Sequence, residues 1–105
     1  MSLRLEPGAG VLTAFLGGEI DHHTAKDIRE QIDGYVQERR PRLLNLDFSS
    51  VQFMDSSGIG LIMGRHRLMQ LVKGSVKVVN IPEHLKRLIK ISGLLSLGVI
   101  AEGEV

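Results

Sequence analysis

Cysteine is absent from this sequence of 105 residues. Its absence excludes disulfides, thiolate metal ligands and cysteine nucleophiles, and it is typical of a protein in a reducing cytoplasm. Aromatic residues are scarce, with one Tyr and three Phe, so a platform for stacking nucleic-acid bases is not expected. Neither sign of charge dominates, because 13 Lys and Arg oppose 12 Asp and Glu for a net charge of +1. We therefore expect neither nucleic acid nor an anionic membrane as a partner.

Long apolar runs are missing as well. The N-terminus carries no basic stretch followed by an apolar core of signal-peptide length, and no run approaches the roughly 18 apolar residues of a membrane helix. Hydrophobic residues make up 43% of the sequence and charged residues 24%, the balance of an ordinary globular protein. A chain of this length buries one core. We predict a single cytoplasmic domain that spans residues 1–105.

Strand and helix patterns alternate along the chain. Apolar and polar residues alternate at 3–6, a turn rich in Pro and Gly follows, and a strand at 11–16 completes a hairpin that Gly17-Gly18 closes. Asp21 is a candidate N-cap for a first helix, which ends before Pro41. The remaining predicted elements are a strand at 42–48, a helix at 57–72 ended by Lys73-Gly74, a strand at 76–81, a helix at 83–92 and a last strand at 97–101.

This order of elements, β-β-α-β-α-β-α-β, defines the fold class. Strands that alternate with helices imply parallel pairing with right-handed crossovers, whereas the opening hairpin is antiparallel. We therefore predict a compact α/β domain with a small mixed β-sheet and three helices packed against it.

The strongest candidate for a functional site is the segment Phe53-Met54-Asp55-Ser56-Ser57-Gly58-Ile59-Gly60. It places an acid and two hydroxyls at the N-terminus of a helix that follows a strand, where free N–H groups and the helix dipole favour negative charge. One interpretation is structural: Asp55 or Ser56 caps the helix, and the glycines allow close packing. The other is a phosphorylated serine, because a phosphate would be well accommodated there. Spacing alone leaves both open.

Several catalytic or ligand-binding alternatives fit the residues poorly. The spacing Gly58-x-Gly60-x-x-x-Gly64 is one residue too long for a dinucleotide-binding loop, and no acid lies near Asn80 to bind a ribose. A P-loop lacks its Gly-Lys-Ser/Thr, and no spacing supports a nucleophile elbow or a Ser-His-Asp hydrolase. The doublet His22-His23 would point in two directions on a helix, so we expect no metal site.

Two segments carry a resemblance to a known family. Gly18-Glu19-Ile20-Asp21-His22-His23-Thr24-Ala25 and the motif Asp55-Ser56-Ser57-Gly58 resemble the sporulation anti-sigma factor antagonists, which are stand-alone members of the STAS domain family. Lys86-Arg87-Leu88 and Ser92-Gly93-Leu94 are similar to the family's third helix and its end. Asp-Ser-Ser-Gly marks the wider family, and Asp-His-His-Thr marks the sporulation branch. The resemblance implies a STAS domain over residues 1–105, with helices packed mainly on one face of its sheet.

The resemblance also implies a non-catalytic switch. Unphosphorylated antagonist would bind an anti-sigma factor that is also an ATP-dependent serine kinase, and a sigma factor would be released. The kinase would inactivate the antagonist by phosphorylating Ser56, and a serine phosphatase of the PP2C type would reactivate it. The chain would be a substrate and a binding surface, without a cofactor or a catalytic residue of its own. Its partner-binding residues would be Glu19, Asp21, His22, Asp55, Ser56, Ser57 and Gly58.

Alternatives remain inside and outside the family. Other STAS modules serve in general stress signalling, in lipid transport complexes, or as cytoplasmic domains of transporters, and the lack of a membrane segment disfavours the last. A small nucleotide-binding or hydrolytic α/β enzyme is the alternative of a different class. Because the sequence ends at Val105, we also expect the family's last helix to be missing or curtailed.

Overall fold

A computed structural model describes residues 2–105, in which strands and helices alternate. The strands are β1 (Ser2–Pro7), β2 (Val11–Ile20), β3 (Leu43–Met54) and β4 (Ser75–Val79). The helices are α1 (His22–Arg39), α2 (Ser56–Leu71) and α3 (Glu83–Ile91), followed by a short 3-10 helix at Leu94–Leu97. Among the residues described, none of the helices combines the length and apolarity needed to cross a bilayer.

The four strands form one mixed sheet in the order β1-β2-β3-β4. β1 pairs antiparallel with β2 as a hairpin. β2 pairs in parallel with β3, and β3 in parallel with β4, across connections that contain α1 and α2. This arrangement confirms the predicted α/β class with its small mixed sheet.

The core lies on one face of this sheet. Along β2, Leu12, Ala14 and Leu16 are buried. Val11, Thr13 and Phe15, which alternate with them, are partly exposed, as expected when successive side chains point to opposite faces. Each helix adds an apolar stripe to the same core, namely Ile28, Ile32 and Val36 from α1, Ile62 and Met69 from α2, and Leu85 and Ile89 from α3.

Two strands are longer than the sequence predicts. β2 does not close at Gly17-Gly18 but continues to Ile20, and β3 continues through 49–54 beyond its predicted end at Phe48. The pairing register between them shifts twice in this stretch, which marks β-bulges. Gly18 has a φ of 75°, a conformation that glycine adopts without strain, so β2 continues past Gly17-Gly18 instead of ending there.

A buried carboxylate fixes β3 where its regular pairing is interrupted. Asp47 accepts hydrogen bonds from the Ser49 backbone N–H (2.9 Å), from Ser49 Oγ (2.7 Å) and from Asn80 Nδ2 (2.7 Å). Burial acts to raise the pKa of Asp47, but these hydrogen bonds outweigh burial and hold the pKa below its ordinary value. The ionised carboxylate therefore ties the middle of β3 to the end of β4.

The predicted last strand at 97–101 is wrong. Leu94–Leu97 form a 3-10 helix flanked by Gly93 and Gly98, which both have positive φ. One parallel bridge, between Val78 and Ile100, is what remains of the expected pairing with β4. The two left-handed glycines turn the chain on either side of residues 94–97, so the chain reaches β4 at residues 99–101 and not along the whole predicted strand.

Candidate functional site

Two strand-to-helix junctions meet at one edge of the sheet. β2 and β3 are parallel neighbours, so their carboxyl ends lie side by side, with Ile20 paired to Met54. Each strand is followed at once by an aspartate and a helix, and the Asp55 backbone N–H donates to Ile20 O at 3.2 Å. We call residues 19–24 the first junction and residues 53–58 the second junction. This pairing places Asp21 beside the Ser56 segment.

The first junction is closed by a complete capping box. Asp21 Oδ1 accepts from the backbone N–H groups of His23 (2.9 Å) and Thr24 (3.0 Å), and the Asp21 backbone N–H donates to Thr24 Oγ1 (2.9 Å). Thr24 Oγ1 also lies 3.0 Å from Glu19 O, to which it donates. The hydrogen bond from the Thr24 backbone is the main reason that the pKa of Asp21 lies below its ordinary value. The predicted N-cap is confirmed.

The second junction is capped more sparsely. Asp55 Oδ1 accepts from the Ser57 backbone N–H at 2.8 Å, and Asp55 O accepts from the Gly58 N–H at 3.0 Å. Asp55 is therefore the N-cap, and Ser56 is the first helical residue, with an exposed side chain. Ser57 is half-buried. Of the two serines, Ser56 is therefore the more exposed.

Gly58 serves close packing at the second junction. It is buried, and a Cβ built on it would lie 2.1 Å from Met54 Sδ and 2.2 Å from Met54 Cγ. Met54 is itself buried, with 5% of its surface exposed. The start of α2 thus lies against the end of β3 at a distance that only glycine allows.

The structure brings the seven predicted partner-binding residues to this edge, with different exposures. Glu19, His22 and Ser56 are exposed, Asp21, Asp55 and Ser57 are half-buried, and Gly58 is buried. His22 and His23 are both exposed, with ring centroids 5.6 Å apart in an edge-to-face arrangement. Within residues 2–105, no group of three or more His, Asp or Glu side chains is placed to hold a metal ion.

A basic groove that the sequence analysis missed starts at this edge and runs between α1 and α2. This α1–α2 groove has a volume of about 670 Å³. Its lining residues are His22, His23, Ala25, Lys26 and Arg29 from α1 and Ser57, Gly60, Leu61, Gly64, Arg65 and Arg67 from α2. In sequence the α1 cations are typical of a solvated helix face, and Arg67 lies 38 positions after Arg29. Only the packing of α1 against α2 brings them together.

A buried ion pair underlies the groove. Arg65 of α2 is 5% exposed, and its Nε lies 2.7 Å from Asp33 Oδ1 while its Nη2 donates to Asp33 Oδ2 at 3.1 Å. Burial lowers the pKa of Arg65 and raises the pKa of Asp33. In both residues burial disfavours the charged form, whereas the attraction between the two opposite charges favours it. The signal for this pair is present in the sequence, because Arg65 lies four residues from both Leu61 and Met69 on the apolar face of α2.

Comparisons with known proteins converge on one family. The model of the STAS domain family matches residues 3–102. The anti-sigma F factor antagonist of Paenibacillus polymyxa is 37% identical over 105 residues, which are 100% of this chain and 90% of that protein. The anti-sigma-B factor antagonist of Listeria monocytogenes is 31% identical over 93 residues, which are 87% of this chain and 81% of that protein.

Solved structures agree with this assignment. The anti-sigma factor antagonist SpoIIAA in its unphosphorylated form is similar with a TM-score of 0.84 at 29% identity, over 95% of this chain and 86% of SpoIIAA. The Bacillus cell fate determinant SpoIIAA in its phosphorylated form is similar with a TM-score of 0.75 at 29% identity, over 95% and 89% of the two chains. The resemblance drawn from the Asp-Ser-Ser-Gly and Asp-His-His-Thr motifs is therefore confirmed.

Proposed function

The chain belongs to the STAS domain family, and on that premise we propose that it is an anti-sigma factor antagonist controlled by phosphorylation of Ser56. Its unphosphorylated form binds an anti-sigma factor with serine kinase activity in the cytoplasm and thereby releases a sigma factor. The kinase phosphorylates Ser56, which ends the binding, and a PP2C-like phosphatase reverses the modification. The full-length similarity to an anti-sigma F factor antagonist supports the general role.

The main support for Ser56 as the phosphorylation site is the exposure of its side chain. Ser56 is the first residue of α2, beyond a cap that Asp55 provides, so its side chain is free of the capping role. The half-buried Ser57 is less accessible, and its backbone N–H is already engaged by Asp55. Phosphate at the first turn of a helix also meets the positive end of the helix dipole. The chain supplies only the acceptor, and the kinase supplies the chemistry.

The first junction supplies the second part of the proposed binding surface. Glu19 and His22 are exposed beside Ser56, and Asp21 keeps one carboxylate oxygen available. Within residues 2–105, the cap bonds of Asp21 all go to Oδ1, which leaves Oδ2 free to accept from a basic group on the kinase. Asp21 would then both cap α1 and contact the partner.

A phosphotransfer experiment tests the acceptor. The purified chain is incubated with the cognate anti-sigma kinase and ATP, and its intact mass is measured. We expect the addition of one phosphate to the unaltered chain and to Ser57→Ala, and none to Ser56→Ala. Phosphorylation that persists in Ser56→Ala but is lost in Ser57→Ala would reject Ser56.

A binding experiment tests the switch itself. Calorimetric titration of the kinase should show binding of the unphosphorylated chain, loss of that binding after phosphorylation, and its return after treatment with the phosphatase. Equal affinity of the two forms for the kinase would contradict the proposal, whichever serine carries the phosphate.

A further inference from the structure

We infer that the α1–α2 groove is a docking site for an acidic segment of the anti-sigma kinase. The inference rests on the proposed function, because it assigns a second contact to the same partner. It goes beyond that function by naming a separate surface and the chemistry that this surface recognises. The groove includes Ser57 in its lining, so it is continuous with the second junction, and a partner seated on Ser56 extends directly over it.

The charge of the groove is strongly one-sided. Lys26 and Arg29 line it from α1 and Arg67 from α2, and all three side chains are exposed. Within residues 2–105, none of these three cations forms a salt bridge, the fourth lining cation, Arg65, is paired with Asp33, and no carboxylate lines the groove. This excess of positive charge is local, because the whole chain carries a net charge of only +1. The complement of such a groove is an anionic ligand.

The glycines of α2 leave the groove open. A Cβ built on Gly60 or Gly64 would meet nothing within 4 Å, so packing inside the chain does not require glycine at either position. Glycine inside a helix is less favourable than alanine. Two glycines four residues apart on the same wall therefore weaken α2 and keep space above it, which is the arrangement expected where another molecule approaches the helix closely.

An acidic polypeptide fits this groove better than other anions. The cations are distributed over both walls, on α1 and α2, and the half-buried Ala25 and the largely buried Leu61 lie among them. A segment that carries both acidic and apolar side chains satisfies both features. A bilayer surface is flat and does not enter a groove between two helices, and a phosphate group would use the cations but not the apolar lining.

Charge reversal tests the electrostatic part of the inference. We expect Lys26→Glu and Arg67→Glu each to weaken kinase binding by roughly 3- to 10-fold at low salt, the scale of reversing a partly exposed ion pair, and by less at high salt. Arg87→Glu is the matched control, because Arg87 is exposed on α3 outside the groove and changes the net charge equally. Its affinity should stay within about twofold of the unaltered chain. Equal losses in all three variants would overturn the inference.

Filling the groove with a larger side chain tests whether its open space is needed for kinase binding. Gly64→Leu should weaken kinase binding, while Gly34→Leu should not, although both glycines are helical and have open space around an added Cβ. Circular dichroism and thermal melting confirm that each variant folds. If the unaltered chain does not bind the kinase, the proposed function fails. If it binds and accepts phosphate while the groove variants bind equally well, only the groove inference fails.

A direct titration identifies the ligand chemistry. The ¹⁵N-labelled full chain is titrated with a peptide of alternating Glu and Leu, with a matched Lys and Leu peptide, with pyrophosphate, and with vesicles of phosphatidylserine and phosphatidylcholine. The acidic peptide should shift the amide signals of Lys26, Gly60 and Gly64, and the basic peptide should not. Shifts of these signals by pyrophosphate or vesicles, without shifts by the acidic peptide, would overturn the peptide assignment.

Discussion

The first and second junctions both begin a helix with an aspartate after neighbouring parallel strands, but their first turns are bonded to different extents. At the first junction, Asp21 and Thr24 satisfy each other's backbone N–H groups, and Thr24 also reaches back to Glu19 O. At the second junction, Asp55 makes one side-chain cap bond, to the Ser57 N–H. The first turn of α1 is thus closed by side-chain bonds in both directions, whereas the first turn of α2 has one side-chain cap bond and one backbone bond, from the Gly58 N–H to Asp55 O.

The difference teaches which junction can change without loss of the fold. The bonds of Asp21 and Thr24 hold the backbone of the first junction from Glu19 to Thr24, so this junction acts as a fixed frame. The second junction presents Ser56 outside the cap, at the positive end of the α2 dipole, so a phosphate can be added or removed there with little rearrangement. Each prediction below alters one junction and compares the effect with the other.

The largest expected effect comes from the tight packing at the second junction. Gly58→Ala would place a Cβ about 2.1 Å from Met54 Sδ, and the buried Met54 has little room to move. We expect a loss of about 1–3 kcal/mol in the free energy of unfolding, measured by urea denaturation. Gly60→Ala, two residues further along, is the control: its Cβ is unobstructed, so the better helix propensity should stabilise the chain by up to about 1 kcal/mol. Equal effects at both positions would contradict the packing argument.

The two caps should differ in the next measurement. Asp55→Ala removes one cap bond, for which a loss near the low end of the usual range of about 0.5–2 kcal/mol is expected. Asp21→Ala removes two bonds to backbone N–H groups and leaves Thr24 without its partner, so its melting temperature should fall further than that of Asp55→Ala. A larger fall for Asp55→Ala would show that the sparse cap carries more of the stability than its geometry indicates.

Local sequence patterns were sufficient for most of this architecture. Asp21 predicted the start of α1, and the residues buried on this helix, Ile28, Ile32 and Val36, recur in the sequence at helical spacing. Such features depend on residues within one turn or one strand, where propensity and periodicity act. The candidate Ser56 site was predicted mainly from a family resemblance, because spacing alone left both a cap and a phosphoacceptor open at 55–57.

The features that sequence missed depend on distant residues. The extension of β3 begins at polar Ser49 and is held by Asp47, which bonds Asn80 33 positions away. The α1–α2 groove likewise combines Lys26 and Arg67, and neither of them differs in sequence from an ordinary solvated helix residue. Both features arise from tertiary packing, so a local sequence pattern does not predict them.

A smaller effect should appear in the dependence of stability on pH. The pKa of Asp21 is lower in the folded chain than its ordinary value of 3.8, mainly because the Thr24 backbone N–H donates to its ionised form. Its contribution to stability is therefore fully present above the unfolded pKa and is lost as the pH falls through the folded pKa. Between neutral pH and pH 3, unfolding stability should fall more steeply in the unaltered chain than in Asp21→Asn. Parallel pH profiles would mean that the cap bonds do not favour the charged form.

The smallest effect on stability, and the sharpest test of the comparison, is expected from Ser56→Asp. The added charge lies at the N-terminus of α2, where the dipole favours it by about 0.3–1 kcal/mol, and the exposed side chain displaces nothing. Circular dichroism should therefore match the unaltered chain, with stability equal or slightly higher. Kinase binding should nevertheless be largely lost, because desolvating an unmatched charge in the interface is costly. The fold would then be unchanged, and only the charge of the binding surface would differ. Hydrogen exchange that shows broad deprotection of α2 in the phosphorylated chain would instead assign the switch to refolding.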